Sequence, residues 1–446
     1  MERLAVGRSI SLPALAAAAT KFCARTTGAY ARVRKQFKLP VGRFEGVEEA
    51  LARIAGEAYA VEAARRLTAA AIDEGHEPAV ISALLKQQST ERQRQAVNDA
   101  MDVHGGRAIC VGPSNYLFTP YQALPVAITV EGANILTRSL IIFGQGAIRC
   151  HPWLFKEIET AKEADPRKRV ESFDAAIQGH VAFFTHNFGK ALFHNVTGAR
   201  FLEAPVTGPT ARWFIEIERA SASFALVADL ALMLLGGALK RRERISGRFA
   251  DCLSELYFMS AVLKRFDDEG RPTEDLPLVE WNCRQSLNTL EQRLDGILSN
   301  FPSRTLGWFL RRVVFPWGRR RRAPDDALGH NVAATLLQPS ETRDRLTAGI
   351  YVSRDPADIT GRLEHALDLT LQAEAIETRL SAAAKDGKLR AATGSETIAE
   401  ALKAGLITAE EAELLKTAAK AVRAAIDVDD FAPEELGGRQ VQTATA

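Results

Sequence analysis

Residues 48–71 read EEALARIAGEAYAVEAARRLTAAA, and this stretch decides the fold class of the chain. Its apolar residues recur every three or four positions, which is the spacing of one buried face of an α-helix. These positions are Leu51, Ile54, Ala58, Val61, Ala64 and Leu67. The stretch therefore predicts a long helix with one face in a core.

Three further helices are predicted on either side of this stretch. Residues 9–33 read as one helix. Pro78, which is acceptable in a first turn, begins another helix that runs toward Met101 and ends at Gly105. Residues 130–143 predict the fourth helix. Four long helices with short breaks predict a helical bundle.

The composition changes after residue 152 to long charged helices that are separated by proline-containing breaks. Convincing strands are almost absent, and the strand-like run at residues 349–353 is too short to make a β-domain. We therefore predict an all-α protein, with a helical bundle in residues 1–150 and a second all-helical domain in residues 151–446.

The overall composition is that of a soluble globular protein, because 46% of the 446 residues are hydrophobic and 25% are charged. The 57 Lys and Arg residues are balanced by 55 Asp and Glu residues, which gives no reason to expect a nucleic-acid partner. The five cysteines lie far apart and form no CxxC pair, which argues against a disulfide framework. These features predict a cytoplasmic protein, since residues 1–13 contain no apolar core of a signal peptide.

One segment resembles a membrane span. Residues 221–239 are almost wholly apolar and are followed by Lys240, Arg241 and Arg242. Asp229 stands in the middle, where a charge would be costly in a bilayer, and the flanking sequence continues as an amphipathic helix. A buried core helix is therefore favoured over a span.

Residues 130–139 read VEGANILTRS and contain a candidate for a catalytic base. Glu131 stands between two apolar runs, and low-dielectric surroundings would make its carboxylate a stronger base, as removal of a weakly acidic C–H proton requires. Gly132 would let a ligand approach the backbone closely. Without further context, the alternative is a surface glutamate at the start of a helix.

Three motifs together resemble the C-terminal half of an acyl-CoA dehydrogenase: the Glu131-Gly132 pair, the run Asp102-Val103-His104-Gly105-Gly106, and the spacing Tyr30-x3-Arg34-x2-Phe37. The resemblance implies a flavoprotein that binds FAD and desaturates acyl thioesters. In this family, a Glu-Gly pair at this place supplies the base that removes the α-proton of the thioester while the β-hydride leaves for the flavin. Glu131 matches that base. Val130 and Ala133 depart from the aromatic residue and the threonine common in relatives, which implies a differently shaped acyl or flavin pocket.

The same resemblance implies one set of flavin contacts around Arg34. In relatives, an arginine at this place pairs with the flavin diphosphate, a task that suits a bidentate guanidinium. Phe37 completes the motif. The alternative is that Arg34 belongs to a solvated basic face shared with Arg32 and Lys35.

A second set of flavin contacts is implied at Gly105 and Gly106. In relatives, the backbone of such a glycine pair meets an FAD diphosphate that reaches over from a neighbouring subunit. Asp102 stands where relatives usually have a glutamine, and an acid beside a diphosphate would be repulsive. The alternative is that the two glycines only cap the preceding helix.

The resemblance extends over most of the chain. Residues 1–152 match the C-terminal bundle, and the helices after them resemble the C-terminal domain of the large bacterial acyl-CoA dehydrogenases of fatty-acid β-oxidation. In relatives, an N-terminal helical domain and a middle β-domain precede the point where Met1 stands. The chain is therefore expected to hold only part of such an enzyme.

Two hypotheses about function follow. The first is an FAD-dependent dehydrogenase that converts medium- or long-chain acyl-CoA into trans-2-enoyl-CoA. It would pass electrons to electron-transfer flavoprotein or a similar acceptor, and it would form a homo-oligomer. The second is a non-catalytic helical binding or scaffold subunit, or an inactive fragment of such an enzyme. No metal is expected, because the histidines show no ligand spacing such as HExxH.

Residues 306–322 combine aromatic side chains with six arginines in twelve residues. The part from Trp308 to Arg322 is suited to an anionic membrane surface, which would place the protein peripherally at the inner membrane face. The alternatives are a basic loop packed on its own domain and a loop paired with the acidic tail. The tail, which is otherwise expected to be solvated, contains Asp427, Asp429, Asp430, Glu434 and Glu435.

Overall fold

Three long helices form the centre of the N-terminal part of the protein. In the computed structural model, which describes residues 2–389 and 395–432, they are α1 (Glu2–Val33), α2 (Glu45–Asp73) and α3 (Ala79–His104). Each packs against the other two. The first three predicted helices of the bundle are therefore confirmed, and the fold is all-α as expected.

Short elements connect these helices to a second set of long ones. A short β-hairpin joins α1 to α2. Each of its strands has two residues, and β1 (Lys35–Gln36) pairs antiparallel to β2 (Leu39–Pro40). The helices after α3 are α4 (Gly106–Ile109), α5 (Phe118–Thr129), α6 (Asn134–Leu136), α7 (Gly146–Cys150), α8 (Leu154–Thr160), α9 (Pro166–Thr197), α10 (Ala211–Leu235), α11 (Glu243–Asp268), α12 (Leu276–Leu298), α13 (Arg304–Val314), α14 (Asp326–Ala334), α15 (Glu341–Leu346), α16 (Ile359–Lys385), α17 (Ser395–Lys403) and α18 (Ala409–Ile426). A π-helical segment covers Thr137–Gln145, and 3₁₀ turns cover Val41–Arg43, Gly236–Arg241 and Thr273–Asp275.

The bundle and the helices after it share one hydrophobic core. The rings of Phe143, Phe224 and Phe249 meet in this core, with centroids 4.3 Å apart for Phe143 and Phe249 and 6.0 Å apart for Phe224 and Phe249. These residues come from the π-helical segment, α10 and α11. Aromatic pairs at such distances add packing energy to the burial of apolar area. The second helical region is therefore fixed to the bundle by direct packing.

The apolar segment that resembled a membrane span lies in α10. Among the described residues, Ala211–Arg241 is long and apolar enough to cross a membrane, and the bent pair Phe118–Thr129 and Asn134–Gln145 passes the same test only if it counts as one span. Half of the apolar window in Ala211–Arg241 is buried inside the fold. Asp229 in its middle is 1% exposed and belongs to a polar network described below, as the core-helix interpretation expects.

One prediction of local structure is wrong. Residues 130–143 do not form one helix, because a turn at Glu131 and Gly132 separates α5 from α6. The strand-like run at residues 349–353 is irregular, and the hairpin of β1 and β2 is the only sheet within the described ranges. Hydrophobic β-branched residues alone did not produce a strand at 349–353, since no neighbouring strand lies beside them to accept their backbone hydrogen bonds.

Gly56 on α2 gives a direct test of the packing between the bundle and α12. A Cβ atom at this position would stand 2.3 Å from the ring of Trp281. We expect Gly56→Ala to lower the free energy of unfolding by about 1–3 kcal/mol, because the rigid ring and backbone must shift. Urea unfolding measures this change. Gly46→Ala in the first turn of the same helix is the control, since no atom lies within 4 Å of its added methyl group. Equal stability of the two variants would contradict the packing.

Candidate active site

Glu131 and Gly132 form a left-handed turn between α5 and α6. Their φ angles are 55° and 103°. Glycine adopts such angles freely, whereas a glutamate does so rarely and at a cost in backbone energy. The conformation of Glu131 must therefore be held in place by the groups around it.

Lys86 of α3 holds this turn in place through hydrogen bonds. Its ammonium group donates hydrogen bonds to the carbonyl oxygen of Gly132 at 2.9 Å, to that of Ile128 at 3.3 Å, and to Oδ1 of Asn134 at 2.8 Å. The side chain is completely buried. The pKa of Lys86 is lowered to about 8, mainly by burial and also by the charge of Arg8, while Glu131 and Glu91 act in the opposite direction. A buried cation with three oxygen acceptors fixes both ends of the turn.

Asn134 extends the same network into α3. Its amide nitrogen donates to Oγ1 of Thr90 at 2.9 Å and to Oε1 of Glu91 at 2.9 Å. The turn is thus anchored to α3 through Lys86 and Asn134 together. Sequence reasoning missed both residues, and the only local signal was a lysine at 86 following the buried pair Leu84 and Leu85.

The carboxylate of Glu131 is half-buried. Its Oε2 atom is inaccessible to solvent and has no hydrogen-bond partner in the described part of the chain. The apolar residues on both sides do not enclose it. Val130 is 40% exposed, Leu136 47% and Ile135 84%. The low-dielectric surroundings expected from these neighbours are therefore incomplete, because their side chains point away from the core and form an uncovered apolar surface beside Glu131.

At the other end of α3, Tyr30 brings Arg34 and Gly105 into one network. The Tyr30 hydroxyl donates to the carbonyl oxygen of His104 at 3.1 Å and accepts from the Arg34 guanidinium at 3.0 Å. The Tyr30 and His104 rings stack with centroids 4.1 Å apart. Gly105 follows His104 with φ 58° and ψ −130° and ends α3. Two of the three motifs thus meet at one site, and the pair of glycines also caps the helix.

Arg34 differs from its basic neighbours in its partners. Arg32 forms an ion pair with Glu374 at 2.7 Å, and Lys35 forms one with Glu377. No carboxylate pairs with Arg34 anywhere in residues 2–389 or 395–432. Arg34 is therefore not part of a shared basic face. Of these three cations, it is the one without a carboxylate partner in the described residues, so its guanidinium remains available to another anion.

Phe37 lies at the tip of the hairpin between β1 and β2. Its φ angle of 51° and that of Lys38, 68°, belong to the tight turn. The Phe37 side chain is 88% exposed and meets Phe44 edge-on, with ring centroids 6.4 Å apart. Its exposed ring is therefore available to a ligand or a second chain.

The acidic tail reaches the loop that contains Gly112 and Ser114. Oδ2 of Asp429 accepts a hydrogen bond from the backbone N–H of Ser114 at 2.9 Å and lies 3.9 Å from the guanidinium of Arg107. A Cβ at Gly112 would stand 2.4 Å from this carboxylate. The prediction of a solvated tail is therefore wrong for Asp429, because a guanidinium and a backbone donor compensate its charge. Glu434 and Glu435 lie outside the described residues.

The Glu131 turn and the Arg34–Gly105 site lie at opposite ends of the bundle. Gly105 follows Lys86 by 19 positions on α3. A rise of 1.5 Å per residue therefore separates their backbones by about 28 Å. The structure brings Arg34 and Gly105 together and keeps Glu131 apart from both.

A polar cluster that the sequence spacing did not predict ties α8, α9 and α10 together. His180 is hydrogen-bonded to Glu157 at 2.6 Å through Nδ1 and to Asp229 at 2.8 Å through Nε2. Nε2 of His151 lies 3.5 Å from the same Asp229 carboxylate.

The tautomer of His151 decides whether this cluster can bind a metal ion. The three groups bring their ligating atoms within 4.8 Å of one another, which is close enough for a metal ion. However, Nδ1 of His151 accepts from the backbone N–H groups of Trp153 at 3.3 Å and Leu154 at 3.1 Å. The proton of the neutral ring is therefore on Nε2 and faces Asp229, so this nitrogen is a donor and not a ligand. The cluster is a hydrogen-bonded ion-pair network.

The network makes the stability of the protein depend on pH through His180. Burial alone would lower the pKa of His180, but its hydrogen bonds to Asp229 and Glu157 outweigh burial and raise that pKa. The stabilisation by the charged ring is therefore complete below the ordinary histidine pKa of about 6.5 and is lost as the pH rises through the raised value. We expect the loss of unfolding free energy in His180→Gln to be larger at pH 6 than at pH 9.

Urea unfolding of both proteins at a series of pH values measures this difference. His186→Gln is the control, since His186 is exposed on the same helix. A difference between His180→Gln and the unmodified protein that is constant from pH 6 to pH 9 would contradict a charged His180.

Comparison with known proteins identifies the family. Residues 148–431 match the family described as acyl-CoA dehydrogenase, C-terminal, bacterial type, and residues 1–142 match the acyl-CoA dehydrogenase C-terminal domain. The chain belongs to the acyl-CoA dehydrogenase family. The resemblance inferred from the three motifs is therefore confirmed.

The matches to individual relatives cover only part of each relative's length. The probable acyl-CoA dehydrogenases FadE10 of Mycobacterium tuberculosis and Mycobacterium bovis are each 26% identical over 313 residues, which is 66% of this chain and 46% of the relative. The chain thus spans about half the length of these curated relatives. An acyl-CoA dehydrogenase from Bacillus anthracis, solved in complex with FAD, matches with a TM-score of 0.58 and 20% identity. The match covers 75% of this chain and 56% of that one, and it shows the same helical fold.

Proposed function

We propose that this chain carries the catalytic base and part of the flavin site of an FAD-dependent acyl-CoA dehydrogenase. Its substrates would be medium- or long-chain acyl-CoA thioesters of fatty-acid β-oxidation, and its products trans-2-enoyl-CoA. The observation that carries the proposal is the Glu131 carboxylate, whose Oε2 atom lies buried in a turn held by Lys86 and accepts no hydrogen bond from residues 2–389 or 395–432. Family membership supports the reaction class.

The chemistry required of Glu131 is removal of the α-proton of the thioester. A carboxylate oxygen that accepts no hydrogen bond keeps its lone pairs available for that proton. Lys86 contributes by positioning, since its hydrogen bonds to the backbone at Ile128 and Gly132 fix the direction in which the Glu131 side chain leaves the turn. Gly132, which carries no side chain, would lie beside the thioester.

The flavin would be held by Arg34, Phe37, Gly105 and Gly106. These residues fit an anionic dinucleotide, because Arg34 has no carboxylate partner in the described ranges and no atom lies within 4 Å of a Cβ built on Gly105. FAD, when bound, supplies the acceptor for the β-hydride of the substrate. Two acidic groups oppose a diphosphate at this site: Asp102, which is exposed, and Asp429, whose carboxylate lies beside Gly112 and Arg107.

The separation of the two sites favours a homo-oligomer. The base turn and the Arg34–Gly105 site are about 28 Å apart along α3, so they face different parts of a cofactor or different cofactors. Four exposed apolar side chains near Glu131, those of Val126, Val130, Ile135 and Leu136, favour a covering partner. A second copy of the chain, or the domains that relatives carry, would supply it. Electron-transfer flavoprotein or a similar protein would accept the electrons, and the cytoplasm is the proposed location.

The alternative function is a helical binding or scaffold subunit without catalysis. The left-handed Glu131 favours the enzyme, because backbone strain of this kind is typical of functional sites and a scaffold gains nothing from it. The two proposals differ in what the flavin-loaded chain does with a thioester.

Glu131→Gln separates the two functions. We load the purified chain with FAD, add palmitoyl-CoA under anaerobic conditions, and follow the visible absorbance of the flavin. We expect bleaching with the unmodified chain, and bleaching slower by at least about a hundredfold with Glu131→Gln, because the amide cannot accept the proton. The flavin should remain bound in both proteins.

Glu159→Gln changes an exposed glutamate on α8 and is the control. Bleaching of Glu131→Gln at the rate of the control would exclude Glu131 as the base. A flavin-loaded, unmodified chain that never bleaches would favour the scaffold.

Arg34→Ala tests the flavin contact. Loss of a charged hydrogen-bond donor to a diphosphate should weaken FAD binding about tenfold to a hundredfold. Quenching of flavin fluorescence on titration with the chain measures the affinity. Lys35→Ala removes the neighbouring charge, which already pairs with Glu377, and should leave the affinity within about twofold. Equal weakening by both substitutions would assign the effect to general charge.

A further inference from the structure

An exposed aromatic surface lies on the second helical region, at the end of α9 and along α13. It comprises Phe193 and Val196 near the end of α9, Phe201 after that helix, Trp308 and Phe309 on α13, and Trp317 after α13. We call these six residues the aromatic face. Phe201 is 72% exposed, Trp308 62% and Trp317 58%. Single exposed apolar residues are common, but a contiguous group of aromatic rings marks an interaction surface.

Direct contacts hold α13 and the segment after it against α9, which brings these residues to one end of that helix. The ring of Phe309 stacks on Phe188 of α9 with centroids 6.3 Å apart. Indole Nε1 of Trp317 donates to the carbonyl oxygen of Val196 at 3.0 Å. The rings of Phe193 and Phe201 lie 5.7 Å apart. Helix α13 and the segment after it are therefore fixed against the end of α9, and the aromatic face is built before any partner binds.

The arginines around the aromatic face divide into two groups. Arg311 pairs with Asp295 at 2.6 Å, and Arg321 pairs with Glu216. The backbone N–H groups of Arg320 and Arg321 donate to Glu291, each at 3.1 Å. These contacts attach the basic loop to its own domain, as one of the alternatives from the sequence expected.

The side chains of the second group have no carboxylate partner in the described residues, although the backbone N–H of Arg320 donates to Glu291 and its Nε donates to the carbonyl oxygen of Trp317 at 3.4 Å. The guanidinium of Arg312 lies 5.1 Å from the centre of the Trp308 ring, and that of Arg320 lies 5.7 Å from the Trp317 ring. Arg322 is exposed. None of these three pairs with a carboxylate in the part of the chain that the structure describes. The aromatic face thus carries three uncompensated positive charges beside two exposed indoles.

The acidic tail does not neutralise these charges. Asp427 pairs with Arg423 at 3.1 Å, and Asp429 contacts Ser114 and Arg107. Both acids therefore lie on other parts of the molecule. The alternative in which the tail pairs with the basic loop is wrong for these two residues.

We propose that the aromatic face is a docking surface for an anionic phospholipid membrane. Indole rings bury their apolar edges at the level of lipid headgroups, and guanidinium groups beside them bind lipid phosphates. The combination of exposed aromatics with unpaired cations is complementary to a negatively charged lipid surface. The chain lies on the membrane through this face and does not insert a helix. The proposal is independent of the proposed dehydrogenase activity.

Vesicle flotation with the full chain tests the proposal. The probes are vesicles of pure phosphatidylcholine and vesicles containing phosphatidylglycerol at about one third of the lipid. We expect binding to the anionic vesicles only, with weaker binding as the salt concentration rises from 0.1 M to 0.5 M. The triple variant Arg312→Ser, Arg320→Ser, Arg322→Ser should bind at least about tenfold more weakly. The double variant Trp308→Ser, Trp317→Ser should also bind more weakly, at low salt as well as at high salt.

The matched control is the triple variant Arg167→Ser, Lys168→Ser, Arg169→Ser, which removes the same charge from exposed positions at the opposite end of α9. It should bind anionic vesicles within about twofold of the unmodified chain. Circular dichroism and urea unfolding confirm that each variant is folded. Equal loss of binding in the two triple variants would overturn the proposal, since only net charge would then matter.

Two further outcomes also overturn it. The unmodified chain could fail to float with anionic vesicles at 0.1 M salt. Alternatively, Trp308→Ser, Trp317→Ser could convert an oligomer into monomers in size-exclusion chromatography while vesicle binding is absent, which would assign the aromatic face to a second copy of the chain.

Discussion

The fold depends on one buried cation, Arg92 of α3. Its guanidinium donates to Glu57 of α2 at 2.6 Å and to Glu255 of α11 at 3.1 Å, and it lies 4.4 Å from the centre of the Phe258 ring. Burial raises the pKa of Glu255, and the charge of Arg92 opposes that rise. A buried ion pair of this kind adds little net stability over apolar packing, but it penalises every arrangement that leaves one charge alone. Arg92 therefore fixes how the second helical region sits on the bundle.

With α3 fixed in this way, its two ends carry the two halves of the candidate chemistry. Lys86 near the beginning supports the turn of Glu131, and Gly105 at the end meets Tyr30 and Arg34. A rigid helix keeps these sites at a constant separation, so a change at one end does not displace the other. The bundle is thus a spacer as well as a support, and helix length sets the distance between the proposed base and the proposed flavin-binding residues.

The sequence predicted what depends on local pattern. The helices were found from apolar spacing, the end of α3 from Gly105, and the grouping of Tyr30 with Arg34 from motif spacing. It did not predict the left-handed Glu131, because the strain there is maintained by Lys86, 45 positions earlier in the chain. The cluster of His180 with Asp229 and the contact of Asp429 were missed for the same reason, since charges that meet only in the folded state leave no periodic signal. The single long helix expected at residues 130–143 was wrong because apolar periodicity does not register the two residues with positive φ, Glu131 and Gly132.

The position of Tyr30 has a consequence for how the protein is made. Tyr30 lies in a small core with Ala29 and Val33 of α1, Leu367 of α16 and Ala425 of α18. A ribosome delivers the first three of these residues long before the last two. Most of the bundle can assemble while synthesis continues, but the end that holds Arg34 and Gly105 lacks part of its core until α18 has emerged. This end of the molecule therefore stays incomplete until α18 is made, and the nascent chain exposes it to cellular chaperones from the synthesis of α1 until then.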